Sequence, residues 1–163
     1  MDIGLLVIRL AVGLIMAYHG TEKLFGWWGA DGLRGAAGFF GRMGYRPPLL
    51  IALVAGLSET TGGLLLAAGA LTPLAVLILM GTFANIMILH LPNGLSRRNN
   101  GFEYELVLAS ATACLAFTGP GALAADRLLP FSPTGWVWGT ALVAAGLLAG
   151  AVVSATRSRQ VTG

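Results

Sequence analysis

Arg9 and Glu59 need a chemical explanation first, because each interrupts an apolar run long enough to cross a bilayer. An ionisable side chain at the bilayer centre costs about 2.5 to 3.5 kcal/mol even on the gentlest insertion scale, so each must face protein or water and find a partner. At 1.5 Å per residue, Arg9 lies about 9 Å and Glu59 about 18 Å below the outer end of its run, and Asn85 falls near the depth of Glu59. The long side chains of arginine and glutamate close most of that offset, so these three are expected to form one mid-membrane layer. Two readings of Arg9 with Glu59 stand side by side: a structural ion pair that fixes helix register, or a ligand or redox site.

A second polar layer is expected at the inner end. There His19, Glu22 and Lys23 finish the first run, His90 finishes the third, and Glu103 with Glu105 begins the fourth. On a helix at 100° per residue, Arg9, Met16, His19 and Lys23 share an arc of about 80°. Glu103 and Glu105 point about 160° apart on the same geometry, so only one faces inward. Glu105 is favoured, because Ala109, Thr112 and Ala116 continue its face with small residues. Imidazole, carboxylate and ammonium groups gathered at one level can hold an oxygen-bearing ligand and move protons. Neither histidine stands in HxxxH spacing, so no metal is expected, and a site of His19, His90 and Glu105 is the minor alternative. Lys23 is most simply a snorkelling anchor, and Cys114 a small buried hydrophobe.

These residues need elements to position them, and composition says which kind. The chain has 163 residues, 56% hydrophobic and only 10% charged, far below the charge content of a soluble domain. Its net charge of +3 is too sparse for a nucleic-acid surface. One cysteine excludes an intramolecular disulfide and a CxxC thiol centre. Five apolar runs, 3–20, 49–71, 74–91, 102–118 and 136–155, have about the length a membrane-crossing helix requires. The first has no basic n-region and no cleavage site, and is read as retained.

Five spans place the termini on opposite sides. One side then collects Lys23, Arg34, Arg42, Arg46, Arg97, Arg98, Arg157 and Arg159, while the other has Arg127, offset by Asp126. The positive-inside rule puts the N-terminus outside and the C-terminus in the cytoplasm. Phe25, Trp27, Trp28 and Tyr45 near the inner surface, and Phe131, Trp136 and Trp138 near the outer one, form matching aromatic belts. In the connection 21–48, Leu33, Ala36, Phe39, Phe40 and Met43 share one helical side and Arg34 the other, which predicts a short surface helix. Small residues mark the close seams: Gly13 and Gly20 beside Arg9, and Ala52, Ala55, Gly56, Gly62 and Gly63 beside Glu59. Gly146 and Gly150 form a GxxxG pattern that packs within the bundle or joins subunits into an oligomer.

Taken in order, LLVIRLAVGL, HGTEKLFG at 19–26, LSETTGGLLL, His90, FEYEL and GPG resemble the DoxX family of small bacterial membrane proteins, related to the DoxD subunit of thiosulfate:quinone oxidoreductase. The resemblance covers roughly residues 5–128. It implies a four-helix transmembrane bundle, with the family's polar signature on Arg9, His19, Gly20, Lys23, Glu59, His90 and Glu105. The fold expected is therefore an all-α membrane protein, with a DoxX-like domain over 1–128 and, over 129–163, a fifth C-terminal transmembrane helix and basic tail. The resemblance also implies sulfur, thiol or oxidative-stress chemistry alongside soluble redox enzymes, in a bacterial inner membrane.

Two functions follow as expectations. In the first, a quinone head group docks on Arg9, His19, Lys23, Asn85 and His90, while Glu59 or Glu105 relays protons, and a soluble or membrane redox protein supplies electrons. In the second, a non-catalytic anchor or assembly factor recruits a soluble redox enzyme through the basic residues Arg34, Arg42 and Arg46. A transporter ranks third, since no inverted repeat or broken helix is evident.

Overall fold

The computed structural model describes residues 1–130 and 133–158, so Phe131 and Arg159 of the expected belts and tail lie outside the described residues. Every apolar run folds as a helix. These helices are α1 (Asp2–Phe25), α3 (Pro48–Ala68), α4 (Thr72–His90), α5 (Glu103–Thr118) and α6 (Trp136–Ala155), with α2 (Gly32–Arg42) in the first connection. Among the described residues, four stretches are long and apolar enough to cross a membrane: Asp2–Phe25, Pro48–Ala68, Thr72–Asn93 and Trp136–Ala155. The fourth run folds as a shorter helix than these four. Its helix α5 has 16 residues and carries Glu103 and Glu105 in its first turn, which gives about 24 Å of helix.

Local chemistry explains the ends. Helix α1 stops at Gly26, whose left-handed backbone (φ +70°) turns its N–H onto the Glu22 carbonyl. Helix α3 begins at Pro48, where a missing N–H leaves no orphan donor. It ends at Gly69, again left-handed.

Packing is set by small residues. A Cβ on Gly63 would meet the Gly13 carbonyl and the Ala17 amide, and one on Gly20 would collide with the Thr60 backbone and the Gly56 carbonyl. The α1 and α3 backbones thus lie in direct contact along an antiparallel seam. Helix α6 packs on α4 in the same way, with Gly146 and Gly150 against Met80, Gly81, Ala84 and Asn85. Of the two readings of that GxxxG pattern, packing within the bundle is the one observed, and α6 is integral to the packing. Between these seams Val12, Met16, Leu79, Phe83, Leu108 and Leu115 form the core. Helix α2 and its C-cap turn Phe40, Leu33, Ala36 and Met43 inward and leave Arg34 exposed, as the pattern predicts, whereas Phe39 of the same expected face is exposed.

Charge and apolarity are inverted relative to a soluble protein. Arg9 and Glu59 are 0% and 1% exposed, while Leu148 and Val152 are 67% and 66% exposed. Such an outer surface suits hydrocarbon. Gly63→Val should therefore destabilise the folded state by about 1–3 kcal/mol or more, because the obstructing atoms are backbone. Gly4→Val, with nothing within 4 Å of the added Cβ, should be nearly neutral. Thermal denaturation of both variants in detergent checks the contrast.

Candidate functional site

The α1–α3 register decides which charges meet. Setting Gly13 against Gly63 and Gly20 against Gly56 brings Arg9 level with Ala67, about 12 Å along the axis from Glu59. Helical side chains lean toward the N-terminus. That tilt carries the Arg9 guanidinium farther from Glu59 and brings the Lys23 ammonium back toward it. Lys23 Nζ accordingly lies 2.6 Å from Glu59 Oε2. The expected mid-membrane layer of Arg9, Glu59 and Asn85 is corrected on this point: both charges face inward, but they belong to different clusters. Lys23, read as a snorkelling anchor, is the partner of Glu59.

Arg9 sits in the cluster at the far end. Its Nη2 donates to the Leu123 carbonyl at 2.5 Å, and Nε and Nη1 have no hydrogen-bond partner among the described residues. A Cβ on Gly69 would strike the guanidinium, so glycine there supplies both the left-handed turn and the space. Asp126 stands close enough to act on Arg9 electrostatically. Its carboxylate accepts the amides of Leu71 at 2.5 Å and Thr72 at 2.8 Å, capping α4 from a distant loop. Leu71 adopts a left-handed φ of +47°, uncommon for leucine. The sequence reading had treated Asp126 as a mere offset to Arg127. Its signal, an acidic residue in a loop bound to reach a helix start, depends on tertiary contacts.

At the opposite end a cavity of about 1010 Å³ opens among all six helices. His19, Lys23, Glu59, Asn85, His90 and Glu105 all line it. Arg9 does not. His19 Nδ1 lies 3.1 Å from Glu22 Oε2, which extends the Lys23–Glu59 pair toward the surface. On the other wall His90 Nδ1 and Glu105 Oε1 are 4.0 Å apart, too far for a hydrogen bond. His90 Nδ1 and Glu105 Oε2 are buried with no hydrogen-bond partner among the described residues. Glu105 faces inward and Glu103 is exposed, as the face argument expects. The remaining wall is apolar, with Phe39, Ile51, Val54, Ile78 and Ile86.

Residues absent from the expected site complete it. Tyr45, fully buried, donates its hydroxyl to Asn85 Oδ1 at 2.6 Å, and the Arg157 guanidinium stacks over its ring at 5.6 Å. Burial holds the Tyr45 phenol above its ordinary range and keeps it a proton donor. Arg97 lies over the Tyr104 ring at 5.3 Å, and both line the cavity. Cys114 departs from expectation in the other direction, since it is exposed.

Fold and site together define a small, all-helical membrane protein with charge buried inside its bundle. The chain belongs to the DoxX family, whose model matches residues 4–91. It is 31% identical over 129 residues to inner membrane protein YphA of Escherichia coli K12, covering 76% of this chain and 88% of that one. Inner membrane protein YqjF of the same strain is also 31% identical over 129 residues, covering 78% and 93%. A third relative, named "Putative oxidoreductase CatD" in Bacillus subtilis strain 168, is 31% identical over 125 residues, covering 77% and 86%. No solved structure matches the chain significantly.

The Arg9 cluster yields a stability contrast. Asp126→Ala should cost about 1–2 kcal/mol, since it removes a helix cap. Asp31→Ala, at an N-cap whose side chain makes no cap hydrogen bond, should change stability by less than about 0.5 kcal/mol. Chemical denaturation in mixed micelles measures both.

Proposed function

We propose that this chain is a redox subunit of the bacterial inner membrane, in which the cavity receives a quinone head group. The observation that carries the reading is the convergence on one cavity of an ion-paired carboxylate, two buried polar atoms without partners among the described residues, and an apolar wall. The residues fit such a group: an oxygen-bearing ring meets donors at one end, and a hydrocarbon tail meets Phe39, Ile51, Val54 and Ile86 at the other. A quinone, when bound, supplies a two-electron, two-proton acceptor.

The chain's own groups handle binding and protons. Lys23 and His19 donate toward the ligand's oxygens, and Asn85, oriented by Tyr45, holds the ring position. Glu59 takes up or releases a proton, with Lys23, His19 and Glu22 leading to the surface. Glu105, beside His90, serves the opposite wall in the same way. A partner redox protein must deliver the electrons, because this chain has no cysteine pair. Sulfur, thiol or oxidative-stress chemistry is the class of reaction proposed, and the name of the CatD relative supports an oxidoreductase role. In this reading α5 also crosses, which gives five spans, an outer N-terminus and a cytoplasmic C-terminus, with Lys23, Arg34, Arg42, Arg46, Arg97, Arg98 and Arg157 inside.

The second reading, a non-catalytic anchor that recruits a soluble redox enzyme, draws on the exposed Arg34, Arg42 and Arg46. One experiment separates the two. Purified protein titrated with a short-chain ubiquinone should bind it, His90→Ala should weaken binding about tenfold through the lost hydrogen bond, and Arg9→Gln should leave it unchanged. Absence of binding to the wild-type protein would remove the quinone reading and favour the anchor.

A further inference from the structure

A second groove, separate from the cavity, lies at the same end of the molecule between the C-terminal turns of α2 and α6. It has a volume of about 820 Å³, and its lining includes Arg42, Ile88, Ala151, Ser154, Arg157 and Ser158. Two guanidinium groups and two serines border it, and among the described residues no acidic side chain does. Arg157 is fixed in place: its Nε donates to the Met43 carbonyl at 3.1 Å, and its plane rests on the Tyr45 ring. The Ser158 amide donates to the Gly44 carbonyl at 2.9 Å. Gly44, left-handed at φ +88°, leaves no room for a Cβ against Ser158. Residues 157 and 158 are thereby held against the α2 end. Ile88, Ala151 and Ala155 form an apolar floor that belongs to two helices long enough to cross a membrane.

We propose that this groove is a binding site for the head group of an anionic phospholipid, with the phosphodiester on Arg42 and Arg157 and the acyl chains along the floor. Charge complementarity selects the occupant. An arginine fork matches phosphate oxygens bidentately, and basic pockets between membrane helices suit anionic head groups. The continuity of the floor with the lipid-facing surfaces of α4 and α6 favours a lipid over free phosphate. Tyr45 makes this site a neighbour of the cavity, because its ring carries Arg157 while its hydroxyl orients Asn85. The site does not depend on what the cavity binds.

Native mass spectrometry of the purified full chain with phosphatidylglycerol, and with phosphatidylcholine of the same acyl chains, tests the assignment. Phosphatidylglycerol should be retained in preference, and Arg42→Gln should weaken that retention about fivefold while phosphatidylcholine is unaffected. Arg42 is exposed at a helix end, so this variant folds even if Arg157→Gln does not. Arg34→Gln, exposed on the same helix but outside the groove, should retain the lipid as the wild type does. Equal retention of the two lipids, an unchanged Arg42→Gln, an equal loss in Arg34→Gln, or displacement by excess inorganic phosphate would each overturn the proposal.

Discussion

A carboxylate can remain inside a bundle of membrane helices only where a partner reaches it and the surrounding backbones exclude lipid. Glu59 meets both conditions through one structural fact, the direct contact of the α1 and α3 backbones along Gly13, Gly20, Gly56 and Gly63. That contact fixes the register, and the register brings the Lys23 ammonium to the Glu59 carboxylate. Larger residues in the seam would clash with the opposing backbone and force the two helices apart.

The same register divides the polar residues between two ends with different work. At one end Arg9, Asp126, Gly69 and Leu123 tie the loop before α6 to the α3–α4 turn, and the groups are enclosed by protein. At the other, Lys23–Glu59 and His90–Glu105 line one cavity, and His90 Nδ1 and Glu105 Oε2 have no hydrogen-bond partner among the described residues. Burial of Arg9 therefore organises the fold, whereas Lys23, Glu59, His90 and Glu105 line the cavity. Helix α6 closes the arrangement. By packing Gly146 and Gly150 on α4 it adds Ala149, Gly150 and Val153 to the cavity lining.

Much of this was legible in the sequence. Apolar run length located each long helix, the small-residue faces located both seams, and matching the inner helix ends gathered His19, Lys23, His90 and Glu105 at one level. The inward choice of Glu105 over Glu103 followed from its continuing face of small residues. The pairing of Arg9 with Glu59 failed for a definite reason. Depth was measured as if the outer ends of the two runs were level, whereas the glycine contacts set Arg9 against Ala67, and the N-terminal lean of side chains was not applied to either partner. Once the glycine contacts set the register, that lean separates Arg9 from Glu59 and joins Lys23 to it. Tyr45 and Asp126 were not legible as site residues, because each acts through a contact distant in sequence, with Asn85 and with the α4 amides.

The central claim is that Lys23 and Glu59 act as one unit across the α1–α3 seam, and a double-mutant cycle on unfolding free energy in detergent tests it most directly. Lys23→Met, Glu59→Met and the double variant should give an interaction energy of about 1–3 kcal/mol, the range for groups in contact. Effects that simply add to within about 0.5 kcal/mol, as distant and independent sites do, would contradict the account.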